Sequence, residues 1–314
     1  MKFNMKKLMA CTLIFVMVLG LCACGGKKDK KESKGGDVFK EEPKTNCWEE
    51  KDGKQYYYGE DGEVMKGRFV LEDEQKIYYT DDDGAVKRTV DGKKPMVALT
   101  YDDGPSQFTM DFVKLFTEYE SGATFYEVGE RIDMFNFGEA EQAISDSYCE
   151  LGSHTFNHKN IRNLSVEGMK KQLSKNDKIL REYGATGDPI TFRAPEGAVG
   201  DKKDTIDRAI ILWSVDTEDW RYRDAKKVYK KATKDIKDGD IILMHSLYES
   251  TYKASKKIVP ELIDQGFQLV TMQDLAEFRG GTKPGEVIFD MYPEVEETTE
   301  DAAEETTEEV TEEK

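Results

Sequence analysis

Apolar and polar positions divide the chain into stretches of different period. Leu8 to Ala23 is apolar or small throughout, which is short for a membrane span. Lys27 to Asn46 is rich in Lys, Glu and Gly and lacks apolar periodicity, the composition of a tether. Between Cys47 and Val90 a pattern occurs twice at an offset of 22 residues. Lys54-Gln55-Tyr56-Tyr57 leads to Asp61-Gly62 and Val64, and Lys76-Ile77-Tyr78-Tyr79 leads to Asp83-Gly84 and Val86. Tyrosine pairs beside an Asp-Gly turn predict β-hairpins, each too short to bury a core alone.

From Lys94 onward, short apolar runs alternate with amphipathic ones. The predicted strands are Met96 to Tyr101, Ala123 to Val128, Thr191 to Arg193, Ala209 to Val215, Gly239 to Met244 and Gln268 to Val270. Helical spacing falls between them. Ser165 to Glu182 puts Met169, Leu173 and Leu180 on one face, and Val228 to Ile236 is a second helix. This alternation predicts an α/β, barrel-like domain.

Charge and cysteines refine the two ends. Met1 to Lys7 carries three lysines ahead of the apolar run, so the start reads as an export signal. Glu294 to Lys314 holds 11 acidic residues and one lysine, a net of −10 out of −17 for the whole chain, and reads as a disordered, solvated tail. A balance this acidic argues against nucleic acid as a partner. Leu21-Cys22-Ala23-Cys24, followed by two glycines, resembles the lipobox of bacterial lipoproteins. That resemblance implies cleavage before Cys24, lipid on Cys24, and an extracytoplasmic protein anchored to the cell membrane. Cys47 and Cys149 then remain as thiols in different modules, more simply free than paired.

The hairpin segment resembles the aromatic-and-glycine repeats of choline-binding and glucan-binding surface proteins. Their usual tryptophans are mostly absent, Trp48 being the one present, so two readings stay open: a wall- or glycan-binding module, or a β spacer.

Chemistry concentrates in three places. Val97 to Leu99 is an apolar run that leads into Thr100-Tyr101-Asp102-Asp103-Gly104-Pro105. Asp-Asp-Gly alone is weak evidence, because Asp82-Asp83-Gly84 is a plain turn in a repeat. At the carboxyl end of a core strand, however, it stands where α/β barrels keep their active sites. Two neighbouring carboxylates repel, and a cation that neutralises one lets both stay ionised. Gly152-Ser153-His154-Thr155-Phe156-Asn157-His158 offers two histidines at i and i+4. In an extended strand these would lie about 13 Å apart, so chelation requires the segment to curl. The third of only three histidines, His245, ends the apolar run Ile241 to Met244. Two His and one Asp leave coordination positions open for water, as hydrolytic zinc sites and non-haem iron oxygenases both require. The spare carboxylate Asp102 and the extra His245 favour acid–base hydrolysis.

With Arg193-Ala194-Pro195-Glu196-Gly197, Asp216-Thr217-Glu218-Asp219-Trp220 and Leu243-Met244-His245, five motifs stand in order between about Pro95 and Arg279. This stretch resembles a polysaccharide deacetylase domain of the NodB-homology type, carbohydrate esterase family 4, which implies a distorted (β/α) barrel. The resemblance assigns Asp103, His154 and His158 to one divalent metal ion, zinc first, then cobalt, nickel or iron. It makes Asp102 the general base, held by Arg193, and His245 the general acid, oriented by Asp219. Trp220 and Leu243 would wall the acetyl pocket, with Tyr101, Pro195 and Glu196 as further substrate contacts. Glu196 departs from the family, where an aromatic residue is common, and so does Ser246, where an aspartate is frequent.

The expected organisation is a lipoprotein signal over 1–23, a linker over 24–46, the hairpin module over 47–93, the deacetylase domain over 94–281 and an acidic tail over 282–314. The expected protein is a monomer acting on N-acetylated glycan, with peptidoglycan N-acetylglucosamine or N-acetylmuramic acid first. Poly-N-acetylglucosamine, chitin oligomers, acetyl-xylan and a silent glycan-binding lipoprotein are the alternatives.

Overall fold

The computed structural model describes residues 44–294. The signal, Cys24, most of the linker and the acidic run from 295 lie outside the described residues. In the hairpin module, β1 (Cys47–Lys51) and β2 (Lys54–Tyr58) pair antiparallel. β3 (Arg68–Leu71), β4 (Lys76–Thr80) and β5 (Val86–Asp91) form a three-stranded antiparallel sheet. The second repeat is the predicted hairpin, turning at Asp83-Gly84 with Gly84 at φ +88°. The first copy departs from prediction. β2 pairs backward with β1, and beyond Asp61-Gly62 only Val64 returns, through a single bridge to Tyr58. Val64 instead packs on the turn of the second copy, where a Cβ on Gly84 would come within 2.3 Å of its Cγ1.

The module's rings fill one another's space. Trp48 meets Tyr57 and Tyr78 edge-on at 5.0 and 4.8 Å, while Phe69 stacks between Tyr57 and Tyr78. Below them Ile77 and Val90 share an apolar cluster with Met96, Ala98 and Leu275.

The larger domain follows as β6 (Met96–Gly104), α1 (Thr109–Glu118), β7 (Thr124–Glu127), α2 (Gly129–Phe135), α3 (Gly138–Ser145) and β8 (Glu150–Ser153). Next come α4 (Val166–Glu182), β9 (Ile210–Ile211), β10 (Val215–Asp216), α5 (Asp219–Tyr222), α6 (Ala225–Thr233) and β11 (Ile241–His245). α7 (Glu249–Asp264), β12 (Gln268–Val270), α8 (Met272–Phe278) and β13 (Val287–Ile288) complete it. The strands run parallel in the order β10-β11-β6-β7-β8. β12 pairs with the first part of β6, and β7 with the remainder. Phe192 bridges Ser153 to Ile210 and so carries the wall on to β9 and β13, giving a distorted (β/α) barrel.

Alternation along β6 sets the layers. Val97, Leu99 and Tyr101 face the helices, among Phe112, Phe116, Ile258 and Leu262, while Met96 and Ala98 face inward. α4 starts as predicted, with the Ser165 side chain accepting from Gly168 N. α6 starts three residues before its predicted position because Asp224 caps it through Lys226 N and Lys227 N.

Three predicted boundaries change. Thr191 to Arg193 contributes only the Phe192 bridges, because Arg193 turns its backbone and side chain to other tasks. Ala209 to Val215 breaks into β9 and β10. The fold also continues beyond Gly281, since Val287 and Ile288 pair with β9 and Met291 is buried.

Asp274 joins module to barrel. Fully buried, it accepts from Arg68 Nε at 3.0 Å and from the Tyr79 hydroxyl at 2.7 Å, with Arg88 Nη1 3.6 Å away. Arg88 is itself buried against the Tyr79 and Tyr148 rings and donates to Leu269 O. Asp274→Ala would strand that guanidinium. We expect about 3–5 kcal/mol of lost stability in urea denaturation, with protease cleavage between residues 58 and 68 appearing first. Unchanged stability would mean that the module docks by its apolar contacts alone.

Candidate metal centre

Because the strands are parallel, Asp102, Glu127, Ser153, Asp216 and His245 all stand at carboxyl ends on one side of the barrel. Strict alternation would send the carboxylates of Asp102 and Asp103 to opposite faces. Two features prevent this. Asp103 adopts the left-handed conformation at φ +69°, and the pairing with β7 shifts between Asp102 and Gly104. Both carboxylates thereby approach one atom, His154 Nε2, at 3.8 Å from Asp102 Oδ2 and 3.5 Å from Asp103 Oδ1. The close packing continues at Gly104, where a Cβ would lie 2.3 Å from Glu127 Oε2.

The histidine segment curls as chelation requires. β8 ends at Ser153, and Thr155 and His158 take left-handed φ values of +66° and +54°. His158 Nε2 lies 3.0 Å from Asp103 Oδ1. His154 Nδ1 donates to Arg193 O at 2.8 Å, which orients the ring with Nε2 toward the carboxylates. One ligand atom each from Asp103, His154 and His158 lies within 4.8 Å of the other two. Asp103 Oδ1 is buried, with no partner beyond these two histidines among the described residues. Two imidazole nitrogens and one carboxylate oxygen fit a divalent cation. Burial works against ionisation of Asp103, but the two histidines outweigh it and hold the carboxyl far below its ordinary range. The bond to Asp103 raises His158.

Each remaining polar group has a dedicated partner. Arg193, fully buried, donates from Nη1 to Asp102 Oδ1 at 2.8 Å and to Thr100 Oγ1 at 2.7 Å. Its other nitrogens donate to Ile211 O and Leu212 O, and its plane lies 4.3 Å from the Tyr126 ring centroid. Asp219, also fully buried, accepts from His245 Nδ1 at 2.8 Å, His245 N, Trp220 N and Thr251 Oγ1. Burial opposes charge on His245, yet the bond to Asp219 and the surrounding carboxylates raise its pKa. His245 Nε2 faces the centre, 3.9 Å from Asp103 Oδ2.

The polysaccharide deacetylase profile matches residues 89–210. A solved T48 deacetylase with substrate is 33% identical, covering 63% of this chain and 98% of that one at a TM-score of 0.57. The chain belongs to the polysaccharide deacetylase family. The peptidoglycan deacetylase PdaC of Bacillus subtilis, also solved, is 29% identical over 61% of this chain and 94% of that one, at a TM-score of 0.55. Among curated proteins, the peptidoglycan-N-acetylmuramic acid deacetylase of Bacillus subtilis is 31% identical over 62% of this chain. The peptidoglycan-N-acetylglucosamine deacetylase of Listeria monocytogenes is 34% identical over 57% of it. The chain spans 41% and 38% of those two relatives' own lengths.

The cleft of this family member encloses about 360 Å³ and gathers Asp102, Asp103, His154, His158, Glu196, Trp220, Leu243 and His245. Two expected substrate contacts do not reach it. Tyr101 lies on the helix side of β6, fully buried against Phe112 and Phe125, with its hydroxyl on Ser255. Pro195 is buried beneath the loop whose exposed residue is Glu196. Glu196, at φ +59°, accepts from Asn160 Nδ2 at 2.7 Å. The cleft also contains Trp213, Asp216 and Tyr248, which the sequence did not single out. Trp213 faces the cleft because the predicted strand breaks there. Tyr248, three residues past His245, carries the Arg223 guanidinium 3.2 Å from its ring centroid.

Behind the cleft, on the helix side of β7, Glu127 and Glu141 are fully buried, and none of their carboxylate oxygens has a hydrogen-bond partner. Burial, then the neighbouring Glu141, pushes Glu127 well above the usual range, and burial pushes Glu141 up to about 8. The fold therefore retains a proton that the unfolded chain releases near pH 4.5. The stability this supports is complete below that pH and is lost as pH rises toward about 8. Glu141→Gln should flatten the decline in urea-unfolding stability between about pH 5 and pH 8, a slope of at most about 1.4 kcal/mol per pH unit for one group. A decline as steep as in the unaltered protein would place the proton elsewhere.

Proposed function

We propose that this protein is a metal-dependent deacetylase of N-acetylated glycan. Its first substrate is peptidoglycan N-acetylglucosamine or N-acetylmuramic acid, outside the cell membrane to which lipid on Cys24 anchors it. The observation that carries this reading is the placement of a cation-sized ligand triangle between Asp102 on one side and His245 on the other. Its similarity to peptidoglycan deacetylases supports the substrate class.

Asp103, His154 and His158 would hold the cation, zinc being the ion this donor set suits. When bound, it supplies Lewis acidity that polarises the acetamide carbonyl and eases deprotonation of water. Arg193 occupies Asp102 Oδ1, so Asp102 Oδ2 is the oxygen that takes the proton as water adds to the acyl carbon. Asp219 accepts only, so His245 Nδ1 carries a hydrogen toward it. The raised pKa favours a second proton on Nε2, and that proton would pass to the leaving nitrogen as the carbon–nitrogen bond breaks. The products are acetate and a free amine. Trp220 and Leu243 wall the acetyl group, and Glu196 contacts the sugar. The hairpin module serves as a spacer, since Trp48, Tyr57, Phe69 and Tyr78 pack on one another.

Acetate release by the purified, zinc- or cobalt-loaded protein tests this. Peptidoglycan should yield acetate. Release from acetyl-xylan alone would reassign the enzyme as an O-acetyl esterase, and release from no glycan would favour a binding role. Asp219→Asn should lower kcat by about 10²-fold or more at unchanged metal content, as loss of an oriented acid predicts.

A further inference from the structure

A lysine-rich surface interrupts this acidic chain. Lys227, Lys230, Lys231 and Lys234 share one face at helical spacing along α6 and just past it, and all four are exposed. With Tyr222 and Glu218 they line a shallow groove of about 480 Å³. Like charges at this spacing destabilise a helix, and local acids offset them little. Lys231 and Arg221 share Glu218, Lys234 has only the adjacent Asp235, and Lys227 rests over the Tyr222 ring. Lys230 makes no ion pair among the described residues. α5, at whose end Tyr222 stands, also carries Trp220 into the cleft.

The described chain ends beside the loop that follows this face. Met291 N donates to Gly239 O, the Tyr292 hydroxyl donates to Asp240, and Lys237 lies over the Tyr292 ring. Residues 295–314 follow, with ten acidic residues and one lysine. Twenty residues can span up to about 66 Å, whereas nine helical residues rise only about 13.5 Å. The whole lysine face is therefore within reach of every part of that segment. Tethering raises the local concentration of the acids to the order of millimolar, which favours pairing that would be negligible between separate molecules.

We propose that the acidic segment 295–314 docks on the lysine face of α6, within its own chain and beside the substrate cleft. Each pair is exposed and weak, so the contact is multivalent and dissolves in salt.

Zero-length carbodiimide cross-linking of the full chain, mapped by mass spectrometry, tests the proposal. α4 provides an internal comparison, since Lys170, Lys171, Lys175 and Lys178 are equally exposed. Cross-links from Glu296–Glu313 should favour Lys227, Lys230, Lys231 and Lys234 over the α4 lysines by about 5-fold or more, and should fall at about 0.5 M salt. K230Q with K234Q should reduce cross-linking at Lys227 and Lys231 as well. Even labelling of the two helices, or salt-insensitive labelling, would overturn the proposal.

Discussion

Two consecutive carboxylates at the end of one strand must serve one cleft, and the pleat of the strand forbids it. The left-handed turn at Asp103 resolves this conflict, and much of the site follows from it. Asp102 keeps the inward direction that alternation assigns and meets Arg193. Asp103 is swung round toward the histidines. A left-handed aspartate is among the less costly exceptions for an L-residue, because its short polar side chain tolerates that geometry. The glycine that follows admits Glu127 at a distance no other residue would allow. Further left-handed residues at Thr155, His158, Glu196 and Glu218 surround the same cleft, as expected where a scaffold holds side chains against local preference.

Two buried pairs then divide the labour among groups of similar chemistry. Arg193 spends every nitrogen on fixed acceptors, so the Asp102 carboxylate is aimed by a buried guanidinium. Asp219, with four donors converging on it, fixes the His245 ring and favours its charged form. His154 is oriented differently, by a backbone carbonyl on its Nδ1. On the proposed reading, the partner of each imidazole is what separates ligand from proton carrier.

The sequence made much of this legible. The apolar run into Asp102-Asp103, the i and i+4 histidines and His245 at a strand end are residue-level signals, and the order of the motifs specified the barrel. Tyr101 shows where motif membership misleads. Counting by two from Val97 and Leu99 already places it with the helix-facing core, so alternation was the better guide. Trp213 and Tyr248 had no such signal, since a strand break and a loop direction depend on tertiary packing. The strand expected over Thr191 to Arg193 is reduced to the isolated bridges of Phe192, a break that depends on tertiary packing. The closing strand β13 is two residues long in a charged setting, too short for the pattern to register.

The division of roles between Asp102 and Asp103 is the central claim, and metal affinity measured together with acetate release for Asp102→Asn and Asp103→Asn tests it most directly. The account predicts that Asp102→Asn retains its cation while turnover falls by about 10²–10⁴-fold. It predicts that Asp103→Asn loses about 10–100-fold or more in metal affinity, and its activity with it. Loss of the metal from the Asp102 variant, or wild-type turnover in either variant, would contradict the account.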